Sequence, residues 1–403
     1  AADETITVST RSTRLVSQRE RELEYLDRLR FEELLNTEKY TALGGQSQVT
    51  PDETPTRERR VQSIVARQEF LHTRVSDEHE RETHTFENAV EEILDIRRAV
   101  VLGEPGAGKT TTLWKLAREL VDTALDDPQA PIPLVVRLAK WTQADKSLPD
   151  FIASQLGGLG QHVPTLLETQ RAVILLDGLN EIPVAQRKAK DPQVQAFIQQ
   201  HPDLMAVVTC RERDYTLDLG FDTVEIVPLD PLRIREFVTR YLGDEDGETI
   251  FWQIAGSDSQ RFASRFQEKF ADKLDDWQKV FWIDDTLPAG LGWDREFHNT
   301  FYYGWQMWRE MRDHPSSLMV LAKNPYMLFM LTDVYDETGD LPDNRGELFH
   351  RFVDTLLVRE KIASRDKVTG QVTTTQEADA LVTAMPDLAF EMQIQRSQED
   401  DGN

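Results

Sequence analysis

An eight-residue loop at 103–110, Gly-Glu-Pro-Gly-Ala-Gly-Lys-Thr, leaves little freedom in how the chain around it can be built. Its spacing is GxxxxGK[ST]. Glycines at these positions let successive backbone N–H groups turn inward around phosphate oxygens. Such a loop works only between an apolar strand and the first turn of a helix, whose N-terminus favours an anion. Ala99–Leu102 supplies the strand, and Leu113, Leu116, Ala117 and Leu120 give the following helix one apolar face. Gly103, Glu104, Pro105, Gly106, Ala107, Gly108, Lys109, Thr110 and Thr111 are therefore the expected nucleotide-binding residues. Lys109 is expected to reach the β- and γ-phosphates, and the Thr110 hydroxyl to ligate Mg²⁺. Position 111 is Thr, so Gly106 and Gly108 do not open a dinucleotide-binding GxGxxG loop.

Two further strands end in residues suited to the same chemistry. Ala172–Leu176 runs into Asp177, an acid placed to hold Mg²⁺ through water, and Glu181 follows as the candidate general base. Asn180 cannot accept a proton but could orient a water. Val207-Val208-Thr209-Cys210-Arg211 is the other strand. If it lies between the loop strand and the Asp177 strand, Thr209 and Arg211 reach the γ-phosphate, and Arg211 can report its presence. The competing reading pairs Arg211 with Glu212 or Asp214. With Leu134–Leu138 as a further run, apolar strands alternating with helices predict an α/β fold, a parallel sheet covered by helices on both faces. Val224–Val227 is expected as an edge strand.

Outside this core, residues 14–35 read as a charged amphipathic helix, with Leu15, Leu23, Leu26, Leu29 and Leu34 near helical spacing. Residues 45–57, polar with two prolines, read as a linker. Residues 58–95 read as helical, with Phe86, Val90, Ile93 and Leu94 on one stripe. After Pro228 the strands are expected to stop, with helices over 232–242, 325–335, 345–361 and 376–395. In the third of these, Phe349, Phe352, Val353, Leu356 and Leu357 form the apolar face. Six of the eight tryptophans fall between Trp252 and Trp308, expected as the core of a helical domain, with a partner-binding face as the alternative.

Charge narrows the partners. Acidic residues number 71 against 46 basic, a net of −25, which argues against holding a nucleic-acid backbone. No run approaches the ~20 apolar residues of a membrane span, so no membrane is expected. AADETITVST has neither the basic start nor the apolar core of a signal peptide. The single cysteine, Cys210, fits a reducing cytoplasm. A start at Ala1 and a polar end suggest a fragment of a longer chain.

Taken in order, the motifs resemble the NACHT ATPases of the signal-transducing STAND class, within the AAA+-related P-loop proteins. The residues that carry the resemblance are GEPGAGKTT at 103–111, ILLDGLNEI at 174–182, VVTCRERDY at 207–215, VEIVPLDPLRIREFV at 224–238 and NPYMLFML at 324–331. Gly178, the small residue after the Mg²⁺ aspartate, belongs to the pattern. The resemblance implies a P-loop NTPase with a helical domain and the start of a winged-helix domain behind it. The corresponding divisions are an N-terminal helical segment at 1–44, a linker at 45–60, a helical lead-in at 61–95, the ATPase core at 96–228, a helical lid with a Trp-rich insertion at 229–372, and a truncated winged helix at 373–403. It further implies ATP or ADP with Mg²⁺ as cofactors, Lys109, Glu181 and Arg211 as catalytic residues, and Pro325 packed against adenine. Slow hydrolysis would be coupled to opening and self-oligomerisation, under an unknown trigger acting through a missing C-terminal sensor, in bacterial defence or stress signalling. Asn180 departs from the Asp of many relatives and leaves Glu181 as the base. The competing readings are a small-molecule kinase, an AAA+-type loader, and a nucleotide-binding scaffold without hydrolysis.

Overall fold

The computed structural model describes residues 17–31, 41–49, 82–256, 258–284, 303–342, 345–359, 363–365 and 372–374. The helix expected over 376–395, with its winged-helix assignment, lies outside these residues. The chain divides into two compact units, one up to Val227 and one from Pro228.

The first unit runs α1 (Gln18–Phe31), β1 (Gly45–Val49), β2 (Glu82–Phe86), α2 (Ala89–Ile96), β3 (Arg98–Leu102), α3 (Lys109–Asp126), β4 (Ile132–Arg137), α4 (Leu148–Gln155), α5 (Val163–Glu168), β5 (Ala172–Asp177), α6 (Val184–Gln200), β6 (Ala206–Thr209) and β7 (Asp222–Ile226). Its seven strands form one sheet in the order β2-β1-β7-β3-β6-β5-β4. From β7 to β4 all neighbours are parallel, while β1 runs antiparallel to both β7 and β2. All six residues of β5 are buried, as expected of a strand covered on both faces. The α/β expectation therefore holds, with a sheet that is mixed rather than wholly parallel.

The departures gather at one end of that sheet. Residues 45–49, read as linker, are β1, and β7 is interior because β1 pairs with it, Gln46 opposite Glu225 and Ser47 opposite Val224. Apolar content could not reveal this strand. Its buried positions are Gly45 and Ser47, and Ser47 satisfies its hydroxyl by donating to Glu92 Oε1 at 2.6 Å. Backbone pairing builds it. Residues 82–86, read as helical, form β2; the helix begins only at Ala89, where the Asn88 side chain accepts from the Val90 N–H at 3.1 Å. Val90 and Ile93 of the expected stripe are buried, Phe86 belongs to the strand, and Leu94 is partly exposed.

Helix α1 closes the opposite end. Leu26 and Leu29 are buried as their spacing predicts, but Glu22 and Tyr25 are buried beside them. The Tyr25 hydroxyl donates to the Pro133 carbonyl at 3.0 Å and accepts from the Val135 N–H at 3.2 Å, satisfying two main-chain groups on the outer edge of β4. Glu22 is 1% exposed and accepts from both Arg171 terminal nitrogens, at 2.9 and 3.2 Å. Burial by itself would push the Glu22 carboxyl up. Hydrogen bonds from Arg171, Gln18 and Arg19 outweigh it and hold the group below its usual 4.5.

The second unit runs α7 (Pro231–Leu242), α8 (Asp244–Ala255), α9 (Ser259–Phe270), α10 (Trp277–Trp282), α11 (Tyr303–Arg312), α12 (Leu318–Ala322), α13 (Pro325–Thr338), α14 (Arg345–Arg359) and the short antiparallel pair β8 (Ala363–Arg365) and β9 (Val372–Thr374). Strands thus do not end at Pro228. Trp282 and Trp308 are buried, with Phe281 stacked on Trp308 at 4.7 Å and Phe251 edge-on to Trp282 at 5.2 Å. These two tryptophans form core, each such aromatic pair adding about 0.5–1.5 kcal/mol beyond burial. In α14, Leu348 is fully buried whereas Phe349 is 41% exposed, so its inner face begins one residue earlier than the spacing suggested. No described helix is long and apolar enough to cross a membrane.

Candidate phosphate-binding site

The loop between β3 and α3 has the form its glycines require. Gly108 takes a left-handed φ of 94° and stands directly before α3, whose first-turn N–H groups receive no side-chain cap. A side chain at Gly108 would collide with Leu43, since a β-carbon there falls 2.6 Å from its Cδ1. Glu104, Pro105, Gly106, Thr110 and Thr111 are exposed, while Gly103 and Ala107 are buried beneath them. Lys109 folds over the loop and donates to the Gly103 and Glu104 carbonyls at 2.8 and 2.9 Å. Burial, and then the neighbouring Arg211 guanidinium, push its ammonium below the usual 10.5. Two cations near enough to repel one another favour an anion beside them.

β6 inserts between β3 and β5, the condition under which Thr209 and Arg211 can share the site. Asp177 ends β5, 6% exposed, and its Oδ1 accepts from Thr110 Oγ1 at 3.0 Å and from Thr209 Oγ1 at 2.8 Å. Thr209 also accepts from the Gly178 N–H at 2.8 Å, so one hydroxyl ties two strand ends together. Among the described residues Asp177 makes no ion pair with Lys or Arg. A nearly buried carboxylate held only by hydroxyls, with the Thr110 oxygen beside it, is a hard-oxygen donor set that suits Mg²⁺. Thr110 and Asp177 are the residues that would hold it.

Past Asp177 the chain turns sharply. Gly178 has φ of 79°, a region that side-chain-bearing residues avoid, and Leu179–Glu181 form a single 3₁₀ turn closed by the Glu181 N–H on the Gly178 carbonyl at 2.9 Å. Glu181 is exposed, and its carboxylate lies over Gly178: a β-carbon there would come 2.7 Å from Oε2. The Asn180 Oδ1 accepts the Arg211 N–H at 3.1 Å, which ties this turn to the end of β6. Arg211 is exposed and, among the described residues, pairs with neither Glu212 nor Asp214. Pro325 is the first residue of α13 in the second unit, behind an Asn324 cap that accepts from the Tyr326 and Met327 N–H groups.

Leu43 and Asn180 are the contacts that spacing did not reveal. Nothing in the polar stretch 41–49 marks Leu43 as a neighbour of Gly108, and the Asn180 bond arises only once β6 lies beside β5. Cys210, by contrast, is accounted for by its place in a buried strand end. Burial pushes its thiol up to about 11. Because the thiolate is the nucleophile, iodoacetamide at pH 8 should leave Cys210 unmodified in the folded protein and label it in urea, as intact mass would show.

The NACHT domain family matches residues 97–245. No curated protein matches the chain. The solved structure of C. elegans PCH-2 is similar over 68% of this chain and 64% of its own, at 14% identity and a TM-score of 0.29. The chain thus spans less than two thirds of that protein. Over residues 97–245 the chain is thus similar to NACHT domains, which are of the P-loop NTPase class, and the function this supports is nucleotide binding.

Proposed function

We propose that the chain is an ATP/ADP-operated signalling switch of the STAND class, a slow ATPase that couples nucleotide state to opening and self-oligomerisation. The observation that carries this reading is the convergence, at the end of one sheet, of Lys109, Thr110, Asp177, Thr209 and Arg211. Lys109 and the backbone N–H groups at the start of α3 bind the phosphates. Thr110 and Asp177 hold Mg²⁺, which when bound screens the triphosphate charge. Glu181 takes the proton of the attacking water, since the neighbouring Asn180 carboxamide cannot act as a base. Arg211, with no carboxylate partner among the described residues, turns to the γ-phosphate and distinguishes ATP from ADP. Packing of Pro325 on adenine, a trigger acting through a C-terminal sensor, a cytoplasmic address and a role in bacterial defence or stress signalling are parts of the proposal that rest on the family resemblance.

Lys109→Ala tests the site directly. It removes the charged donor carried by the loop itself, and charge-assisted bonds of this kind contribute about 1.5–3 kcal/mol, or roughly 10- to 150-fold in affinity. Titration calorimetry should find ATP and ADP binding weakened by at least that factor in an otherwise folded chain. Parental affinity in the variant would refute the assignment.

A further inference from the structure

Helix α6 touches the site at more points than a covering helix needs. Three polar side chains on one of its faces, Gln186, Arg187 and Lys190, all donate to main-chain carbonyls of the loops that leave the C-terminal ends of β4 and β5. Gln186 Nε2 donates to the Thr142 carbonyl at 2.6 Å. Lys190, fully buried, donates to the Trp141 carbonyl and stands 4.5 Å from the centre of the Trp141 ring. Arg187 donates from Nε to the Ile182 carbonyl at 3.1 Å and from a terminal nitrogen to the Asn180 carbonyl. Strand C-termini are where ligands bind in open α/β sheets, so a helix that grips both loops there sets the geometry of the site.

Arg187 occupies the central place. Its planar guanidinium spans the carbonyls on either side of Glu181, fixing the 3₁₀ turn 179–181 from behind. The same turn aims the Asn180 carboxamide at the Arg211 N–H. One side chain thereby determines where Glu181 stands over Gly178 and, through the Asn180 carboxamide, where the Arg211 backbone is held. Resting on the switch reading above for its functional consequence, we propose that Arg187 is a positioning residue of this site, acting through the Asn180–Ile182 turn on both Glu181 and Arg211.

The test compares the full chain with Arg187→Met, which keeps the aliphatic stem and removes the donors, and Arg187→Lys, which restores one donor. Hydrogen exchange without nucleotide reads the turn itself. In Arg187→Met the amides of Glu181 and Arg211 should exchange about tenfold faster or more, with the rest of the sheet unchanged, and Arg187→Lys should recover part of that protection. With ATP added, single-turnover hydrolysis should fall about tenfold to a hundredfold in Arg187→Met, since displacements near 1 Å cost that much, while ATP affinity stays within about threefold. Unchanged exchange at both amides would overturn the proposal. So would a uniform rise in exchange with a lower Tm, or a loss of affinity in step with rate, because either marks a residue that only supports the fold. A parental chain that neither binds nor hydrolyses ATP would sink the switch reading instead, and the nucleotide-free exchange comparison would still decide whether Arg187 holds the turn.

Discussion

Replacing Glu181 with glutamine is expected to leave ATP bound and nearly stop its hydrolysis. Glutamine keeps the shape of the side chain over Gly178 but cannot accept a proton. Removal of a positioned general base costs on the order of 10²–10⁴-fold in rate. The neighbouring Asn180 carboxamide cannot accept a proton and offers no substitute. Affinity should survive, because the phosphate contacts come from the loop, Lys109 and the start of α3. Phosphate release under saturating ATP, together with mass spectrometry of the nucleotide retained after desalting, measures both halves. Turnover at the parental rate would remove Glu181 as the base and leave a site that binds without reacting through this carboxylate.

A second large effect is expected far from the loop. Arg171→Met should destabilise the first unit by about 3–5 kcal/mol, because it strands the buried Glu22 carboxylate without its bidentate partner. Arg19 remains at 3.3 Å but gives one contact in place of two, and Arg171 also loses its bond to the Pro128 carbonyl. Combining Arg171→Met with Glu22→Leu should recover much of the loss, since no charge is then buried unpaired. Urea unfolding of the four chains closes the cycle, and a double variant as unstable as the single one would contradict the account. The pH dependence has a definite sign. Glu22 is held below its usual value in the folded chain, so its contribution is present above the unfolded value near 4.5 and is lost as pH falls through the lower folded one. Acid should therefore narrow the gap between parent and variant.

The two halves of the sheet differed in how far they could be read in advance. Gly103–Thr110, Asp177 and Thr209 were legible because a phosphate loop and charged strand ends demand particular residues at particular spacings. Their neighbourhood followed from strand order, which placed β6 between β3 and β5. β1 was not legible. Gly45-Gln46-Ser47-Gln48-Val49 carries almost no apolar signal, and its strand exists because β7 offers an unpaired backbone edge. Glu22 was passed over for a related reason: a charged residue at an inward helical position looks like an error in periodicity until Arg171, 149 positions away, is placed beside it. Asn180 and Arg187 escaped because bonds to backbone atoms depend on where loops finish, which no local pattern encodes.

Tyr25 has a consequence of its own. An outermost strand with idle amides and carbonyls is an invitation to sheet growth, through amyloid-like stacking or capture of a foreign β-segment. Here a phenol occupies the positions another polypeptide would use, and it is carried on a helix rich in charge that cannot itself extend the ladder. While that helix is seated, the molecule is closed to lateral polymerisation on this border; anything that pries it loose turns an inert flank into an adhesive one.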